Sequence, residues 1–570
     1  MLHLTKKCIE FQGGFAIIPM KCKNKELYVN MKEENKRGLN SENIWTTIYC
    51  CCLFVLFPLF MRDGYLDIME AKTKFFLVTT GIYLAGMLII AVVKKIQEGT
   101  DIFVWKRISF TDIFCIALVV NIFSGLLLNK FNSEVLWASK GKLFGCIFLE
   151  MCCMIYFFIS RTFRMNQGIL WGLLLGNIFT AFFVVCSRFG VDIFHLYDII
   201  VKNQRSAFLG TLGQINVVAS FFCVFIPFWM GCYLSAKERT SKILFGIALF
   251  FALTAGFSSN SDSIFLGIVG AYLFYLWSAF ADGERLSAYF QCGSLLFLSI
   301  FSVGFLTYLA KQNLHFTVKW DLLQQQILKY SLLWLGVAVF LGICPMILKN
   351  ILKKIDLKDS LKKRRTFLLM IMVVIMILAV FIVAMNSGIL KNGNAFGKHS
   401  VCDDFLENND IGSRKVFFGK YILFNDSWGS NRGYVWKRTL QLFGQLPVWK
   451  KIMGCGMGMF PSFFEAFHTE AMKQFGYYFV DAHNEFLQFL VTTGIIGCIS
   501  YFGMIITTLI KNLLFIRNKG ERERPENEIS IIVPAILFVW LLQGLVNSPT
   551  VFITPYLFIF LGIGRNIVTE

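Results

Sequence analysis

The feature that most constrains this chain is a succession of long, uninterrupted apolar blocks. A helix needs about 20 apolar residues to cross a bilayer core, and many blocks reach roughly that length. The apolar residues do not alternate with polar ones, which favours helices over the strands of a membrane barrel. Charged residues make up only 16% of the 570 residues, whereas soluble domains carry roughly a quarter. The sequence therefore predicts an all-α polytopic membrane protein.

The apolar blocks predict about fourteen transmembrane helices. A cytoplasmic N-terminal segment (1–43) precedes a bundle of about eleven spans (44–385), a long loop (386–485) and about three C-terminal spans (486–570). The predicted spans are 44–61, 75–93, 110–128, 143–159, 168–186, 216–234, 241–257, 263–281, 291–309, 331–348, 367–385, 486–510, 530–546 and 550–564.

The predicted topology explains the net charge of +19. With the N-terminus in the cytoplasm, the loops on the inner side are short and basic, as the positive-inside rule requires. One of them carries the run LKKRR (361–365). We therefore expect a multi-pass protein of the cell membrane with both termini cytoplasmic, and no nucleic-acid partner.

The loop 386–485 differs from the short connections elsewhere, since loops longer than about 15 residues are usually functional or disordered. Its many aromatic residues and glycines favour order. NRGYVWKRTLQLFGQLPVW (431–449) and PSFFEAFHTEAMKQFG (461–476) are typical of amphipathic helices. Between them, GCGMGMF (454–460) predicts either a tight reversal or a phosphate cradle of backbone N–H groups. We expect an ordered extracytoplasmic loop that carries short helices.

Polar residues crowd the start of the twelfth predicted span, in DAHNEFLQFLVTTGIIG (481–497). Asp481 could cap this helix, but capping does not explain His483 or Glu485. Glycines within the span, such as Gly494, would allow a neighbouring helix to approach closely. This predicts an interior helix whose histidine faces a cavity rather than lipid.

At this point the chain resembles the O-antigen ligase and O-antigen polymerase family, polytopic enzymes with a long extracytoplasmic loop near the C-terminal end. The family often has a Ser-Arg pair where this chain reads SSNSDS (258–263), without an arginine. Four stretches carry the resemblance, in the family's order: RSAFLGTLGQINVVASFFCVFIP (205–227), RGYVWKRTLQLFGQLPVWKKIMGCGMGMF (432–460), AHNEFLQFLVTTGIIG (482–497) and GLVNSPTVFITPYLFIFLGIG (544–564).

The resemblance implies transfer or polymerisation of a polyprenyl-diphosphate-linked glycan onto an acceptor hydroxyl, at the outer face of the cytoplasmic membrane, in surface polysaccharide biosynthesis. The hydroxyl must lose a proton, and imidazole, which titrates near pH ~6.5, suits that task. His483 is the predicted catalytic base, with Glu485 or Asp481 orienting its ring. No nucleotide is needed at the outer face, because the diphosphate–sugar bond supplies the energy, and no cofactor or metal is expected.

The departing lipid diphosphate needs cationic donors at the membrane surface, and arginine offers bidentate geometry with a permanent charge. Arg432 and Arg205 are the first candidates for this role, followed by Arg438 and Lys142. The expected partners are the lipid-linked donor, a glycan, lipid or protein acceptor, and membrane lipid. The residues do not decide between a ligase and a polymerase.

Two other functions stay open at this stage. A metal-dependent polyprenyl-phosphate glycosyltransferase would use Asp63 and Asp67 in the first outer loop, MRDGYLD (61–67). A transporter of lipid-linked glycan would show ionisable residues at mid-membrane and internal repeats. Glu150, in the fourth span, is a lone candidate of that kind.

Overall fold

The computed structural model describes residues 40–99, 108–138, 143–198, 200–201, 204–280, 283–352, 424–519 and 526–569. These residues form helices joined by short connections, with one small β-ladder between β1 (Phe208–Leu209) and β2 (Gly213–Gln214). The helices are α1 (Ser41–Leu59, with a π-helical stretch Cys52–Leu56), α2 (Ile68–Glu98), α3 (Phe110–Leu128), α4 (Ser133–Trp137), α5 (Cys146–Thr162), α6 (Gln167–Arg188), α7 (Ile215–Ser235), α8 (Arg239–Ser258), α9 (Ser263–Ala279), α10 (Gly283–Asn313), α11 (Leu322–Lys329), α12 (Ser331–Leu352), α13 (Trp428–Gln445), α14 (Val448–Met453), α15 (Phe460–Phe463), α16 (His468–Phe475), α17 (Glu485–Lys519), α18 (Glu526–Gly544) and α19 (Thr554–Thr569).

The prediction of a helical polytopic membrane protein is confirmed, but the count of fourteen spans is not. Within the described residues, eight helices are long and apolar enough to cross a membrane, and a ninth span arises if α11 and α12, bent by 67°, are counted together. Three further apolar helices, α9, α18 and α19, are shorter. The eleventh predicted span, 367–385, lies outside the described residues.

Helix α7 lies at the centre of the bundle and is buried along nearly its whole length. Its sequence, INVVASFFCVFIPFWMGCYLS, is apolar on every side, as expected for a helix surrounded by other helices. The C-terminal helix α18 packs against α7, α19 packs against α5, and α17 packs against α3. The last three helices therefore complete the bundle that the first part of the chain begins.

Helix α17 approaches α3 closely because glycines face it. A Cβ atom built on Gly503 would lie 2.8 Å from the ring of Phe114, and one on Gly497 would lie 2.4 Å from the Oδ1 of Asn121. The prediction that α17 is an interior helix packed through its glycines is confirmed by these contacts.

The described part of the long loop, residues 424–484, is ordered and has its own apolar core. Tyr434 of α13, Phe460 of α15, Phe479 and Val491 are all buried in one cluster. Because Val491 belongs to α17, this core attaches the loop to the end of that helix. We call this end of the bundle the loop end.

The glycine-rich segment 454–458 joins the loop to a kink in α17. Gly494 interrupts the helix with φ 67° and ψ −170°. The N–H groups of Cys455 and Gly456 donate to the carbonyls of Val491 and Thr492, both at 2.9 Å. These N–H groups are therefore occupied, which favours the interpretation of 454–460 as a close backbone reversal over the phosphate cradle.

Candidate functional site

The site centres on His483, which stands at the loop end just before α17. The Nδ1 atom of its ring lies 3.1 Å from the Oδ1 of Asp481. The histidine side chain is 31% exposed, whereas the Asp481 side chain is only 3% exposed. A buried carboxylate beside one ring nitrogen keeps the proton there, so the other nitrogen, Nε2, is left as the basic one.

The backbone around His483 is held in an unusual conformation. His483 has φ +47°, in the left-handed region that residues with a Cβ seldom adopt. The indole of Trp436 donates to the carbonyl of Ala482 at 3.0 Å, and the N–H of Ala482 donates to the side chain of Gln488 at 3.0 Å. Such strain persists only where the surroundings impose it, and it is common at functional sites.

Asn484, rather than Asp481, caps α17. Its Oδ1 accepts from the N–H of Leu487 at 2.9 Å, in the geometry of a helix N-cap. Asp481 therefore does not cap α17, although the sequence allowed that role. It accepts from the N–H of His483 at 2.8 Å and holds the imidazole as well.

Arg432 opens the regular part of α13, after residues 429–431 have adopted left-handed backbone angles. One terminal nitrogen of its guanidinium donates to the carbonyl of Gly429 at 2.6 Å, and the other lies 3.4 Å from the Oδ1 of Asn547. Its Nε is buried and finds no hydrogen-bond partner among the described residues. The guanidinium therefore retains donor capacity for an anion.

The charges around Arg432 come from elements far apart in the chain. Burial lowers the pKa of Arg432, while the neighbouring Asp262, Asp481 and Tyr477 act in the opposite direction. Because arginine normally titrates above about 12, the side chain keeps its positive charge. Arg432 and the Asp481–His483 pair thus belong to one electrostatic environment.

The hairpin between α18 and α19 contacts Asp481, Asn484 and Arg432. The hydroxyl of Ser548 donates to the Oδ1 of Asp481. The side chain of Asn484 donates to the carbonyl of Leu545 at 2.8 Å. Asn547, next to Arg432, also donates to the hydroxyl of Ser220 on α7 at 3.3 Å. All four sequence stretches that carry the family resemblance therefore supply residues to this region.

Comparison with known protein families gives one match. Residues 327–502 match the family described as O-antigen ligase, a segment that includes Arg432, Asp481 and His483 and covers just under a third of the chain. This segment is therefore similar to the O-antigen ligase family. A comparison with curated proteins finds no match. This match and the apolar helices support a multi-pass membrane protein, and the match supports a general role in ligation or polymerisation of lipid-linked glycan.

Glu485, one of the two residues predicted to orient the ring of His483, bonds to Tyr501 and Trp540 instead. Its carboxylate accepts from the hydroxyl of Tyr501 at 2.6 Å and from the indole of Trp540 at 2.9 Å. It packs against Gly544, where a Cβ atom would lie 2.6 Å from its Oε2. Glu485 thus ties α17 to α18, and the position beside the ring belongs to Asp481.

The other predicted diphosphate ligands are placed differently from Arg432. Arg438 forms ion pairs with Asp426 at 3.2 Å and with Glu470 at 3.0 Å, and these two carboxylates use its charge within the loop. Arg205 donates to the carbonyl of Ile200 at 3.1 Å, within its own loop. Lys142 lies outside the described residues.

An arginine from another helix reaches the turn where the sequence lacks one. Arg188, at the end of α6, is buried and donates to the carbonyls of Ser258 at 2.6 Å and Ser259 at 2.9 Å. It therefore supports the SSNSDS turn that carries Asp262. The sequence could not reveal this contact, because about seventy positions separate the two partners.

Asn547 and Ser548 are the site residues that the sequence interpretation left without a role. The available signal was the polar pair Asn547 and Ser548 in the middle of a largely apolar closing hairpin. A polar group at such a place needs a partner, since unpaired polar groups are costly in an apolar environment.

The residues considered for the two other functions are Asp63 and Asp67, for a metal-dependent enzyme, and Glu150, for a transporter. Asp67 binds Arg62 at 2.6 Å and accepts from the N–H of Asp63 at 2.9 Å, so it shapes its own turn. The part of the chain that the structure describes contains no group of three His, Cys, Asp or Glu side chains able to hold a metal ion. Glu150 lines an apolar groove of about 290 Å³ between α2, α3 and α5.

Proposed function

We propose that this protein transfers or polymerises a glycan carried on a polyprenyl diphosphate, at the extracytoplasmic face of the membrane. The observation that carries the proposal is the Asp481–His483 pair near Arg432, whose buried Nε has no hydrogen-bond partner among the described residues. The similarity of residues 327–502 to the O-antigen ligase family supports the same class of reaction.

In the proposed reaction, an acceptor hydroxyl gives its proton to the Nε2 of His483 as its oxygen attacks the anomeric carbon of the donor sugar. The new carbon–oxygen bond forms while the bond from that carbon to the diphosphate oxygen breaks. The electron pair of the broken bond leaves with the lipid diphosphate. Asp481 stabilises the imidazolium that forms, because its carboxylate lies against Nδ1.

Arg432 is proposed to hold the departing diphosphate. Its pair with Asn547 is long at 3.4 Å and its Nε is unpaired among the described residues, so an incoming phosphate oxygen would displace little. Charge-assisted hydrogen bonds from arginine to phosphate are stronger than neutral ones, and they strengthen as negative charge develops on the leaving group. No nucleotide enters this scheme.

Replacement of His483 tests the proposal directly. Purified protein would be reconstituted in vesicles with lipid-linked glycan extracted from the producing cells, and product would be followed by gel. We expect His483→Ala to lower the turnover number by about 100- to 10,000-fold, the usual contribution of a general base. His468→Gln is the matched control, because His468 lies in the same loop against Tyr478 and away from this pair. Normal turnover by His483→Ala would refute the proposal.

The same reconstitution separates a ligase from a polymerase. A polymerase lengthens the glycan when lipid-linked repeat is the only substrate, because one repeat serves as donor and another as acceptor. A ligase makes no product until a second acceptor is added. The proposed mechanism needs His483 and Arg432 in both reactions, so His483→Ala and Arg432→Ala should fail to make product in either assay.

A further inference from the structure

Two consecutive tyrosines project from the loop beside the proposed site. Tyr477 is 44% exposed and Tyr478 is 50% exposed, immediately after α16 ends at Gly476. Most aromatic residues of this loop are instead packed into its core, as Tyr434 and Phe479 are. Large aromatic rings left in the open near a reaction centre are candidates for binding part of the substrate.

Tyr477 is linked to both halves of the proposed site. Its hydroxyl accepts from the side chain of Asn431 at 2.9 Å, and Asn431 is the residue immediately before Arg432. Its ring lies 5.3 Å from the ring of Phe479, which in turn lies 6.1 Å from the ring of His483. An aromatic path therefore leads from Tyr477 to the imidazole, while its phenol end is fixed beside the arginine.

Tyr478 points elsewhere, although it is equally exposed. Its ring lies 5.0 Å from His468, on the loop helix α16. Tyr477 and Tyr478 thus have the same side chain and similar exposure. Of the two, Tyr477 is the one linked to the proposed site, through Asn431 and Phe479. An aromatic ring at a membrane surface can also serve as an interfacial anchor, and that role would fit Tyr478 as well as Tyr477.

We propose that Tyr477 is a sugar-binding residue, whose ring packs against the donor sugar next to the diphosphate and so presents its anomeric carbon to the acceptor. This inference rests on the proposed function, because it takes Arg432 as the diphosphate ligand. A sugar ring joined to a phosphate on Arg432 lies within reach of the adjacent Tyr477, and the apolar C–H face of a pyranose suits a flat aromatic surface. The bond from Asn431 fixes the ring before the substrate arrives, which lowers the entropic cost of binding.

The kinetic test uses three variants and the lipid-linked glycan extracted from the producing cells. We expect Tyr477→Ala to raise KM for this donor about three- to tenfold, the range typical of one aromatic contact. Tyr477→Phe keeps the ring but loses the bond from Asn431, so we expect it to raise KM less than Tyr477→Ala does. Tyr478→Ala, the matched control, should leave KM unchanged. Equal effects of Tyr477→Ala and Tyr478→Ala would overturn the inference in favour of membrane anchoring.

A second measurement separates sugar binding from diphosphate binding. Polyprenyl diphosphate without sugar should inhibit the reaction by occupying Arg432. We expect Tyr477→Ala to leave its inhibition constant unchanged. Arg432→Ala should lack turnover, so its binding of the same lipid would be measured directly and should be weaker than in the parent protein. An inhibition constant raised by Tyr477→Ala would show that Tyr477 supports the diphosphate rather than the sugar. Normal turnover by His483→Ala would instead refute the proposed function, so the two failures are distinguishable.

Discussion

At the scale of single residues, the reactivity of His483 depends on the carboxylate beside it. Asp481 is buried, lies 3.1 Å from the Nδ1 of the ring and accepts from Ser548. We expect Asp481→Asn to lower kcat about 10- to 100-fold with little change in KM, because an amide can donate to Nδ1 and so favours the wrong tautomer. Steady-state kinetics of the reconstituted protein would measure both constants.

The matched control for that prediction is Ser548→Ala. This variant removes one hydrogen bond to Asp481 but leaves its charge and its contact with the ring. It should lose less in kcat than Asp481→Asn does, since the carboxylate beside the ring is kept. An unchanged kcat in Asp481→Asn would show that catalysis does not require Asp481 to orient the ring of His483.

The sequence alone predicted His483 and Arg432 as site residues, because their residue types suit the chemistry and the motifs surrounding them resemble the family. It left Asp481 either to cap α17, a role that Asn484 performs, or to orient the ring, and it offered Glu485 as the other residue beside the ring. These assignments depend on Ser548, Tyr501 and Trp540, which lie on parts of the chain that only the fold brings near. A partner's position cannot be read from local spacing when it depends on how distant helices pack.

At the scale of elements, the kink in α17 joins the loop to the bundle. Gly494 has φ 67° and ψ −170°, a conformation that is essentially restricted to glycine. A Cβ atom there would also lie 2.3 Å from the carbonyl of Ile452. We expect Gly494→Ala to destabilise the protein by about 1–3 kcal/mol and to lower activity, because the kink positions the segment that carries His483.

The measurement is the melting temperature in detergent, followed by size-exclusion chromatography. Gly81→Ala is the matched control, since Gly81 lies within α2 and an added Cβ atom would meet nothing within 4 Å. Alanine favours a helix over glycine by up to about 1 kcal/mol, so this variant should be at least as stable as the parent. A melting temperature unchanged by Gly494→Ala would contradict the role given to the kink.

The spans were easy to predict and the kink was not. Apolar character is local to each helix, and helices coincide with all the predicted spans that fall within the described residues. The sequence did indicate that the glycines of α17 permit close packing. It could not indicate that Gly494 contacts Gly454. The two glycines lie forty positions apart, and the residues around one do not predict contact with the other.

At the scale of the whole molecule, the loop end and the opposite end of the bundle must face different compartments. Helix α7 begins beside the site, where Ser220 contacts Asn547, and ends at Ser235. A helix of this length spans about 30 Å, which is enough to cross the hydrocarbon core. The positive-inside rule then predicts that the basic turn after α7 is cytoplasmic and that the loop end is extracytoplasmic.

Cysteine labelling in intact cells tests this sidedness. Lys473, on the loop helix α16, and Lys237, after α7, are both exposed, whereas the described native cysteines are buried or partly buried. We expect Lys473→Cys to react with a membrane-impermeant maleimide in intact cells, and Lys237→Cys to react only after the membrane is opened. The parent protein provides the background from its own thiols. The reverse pattern would place His483 in the cytoplasm, where it could not act on glycan exposed at the outer face.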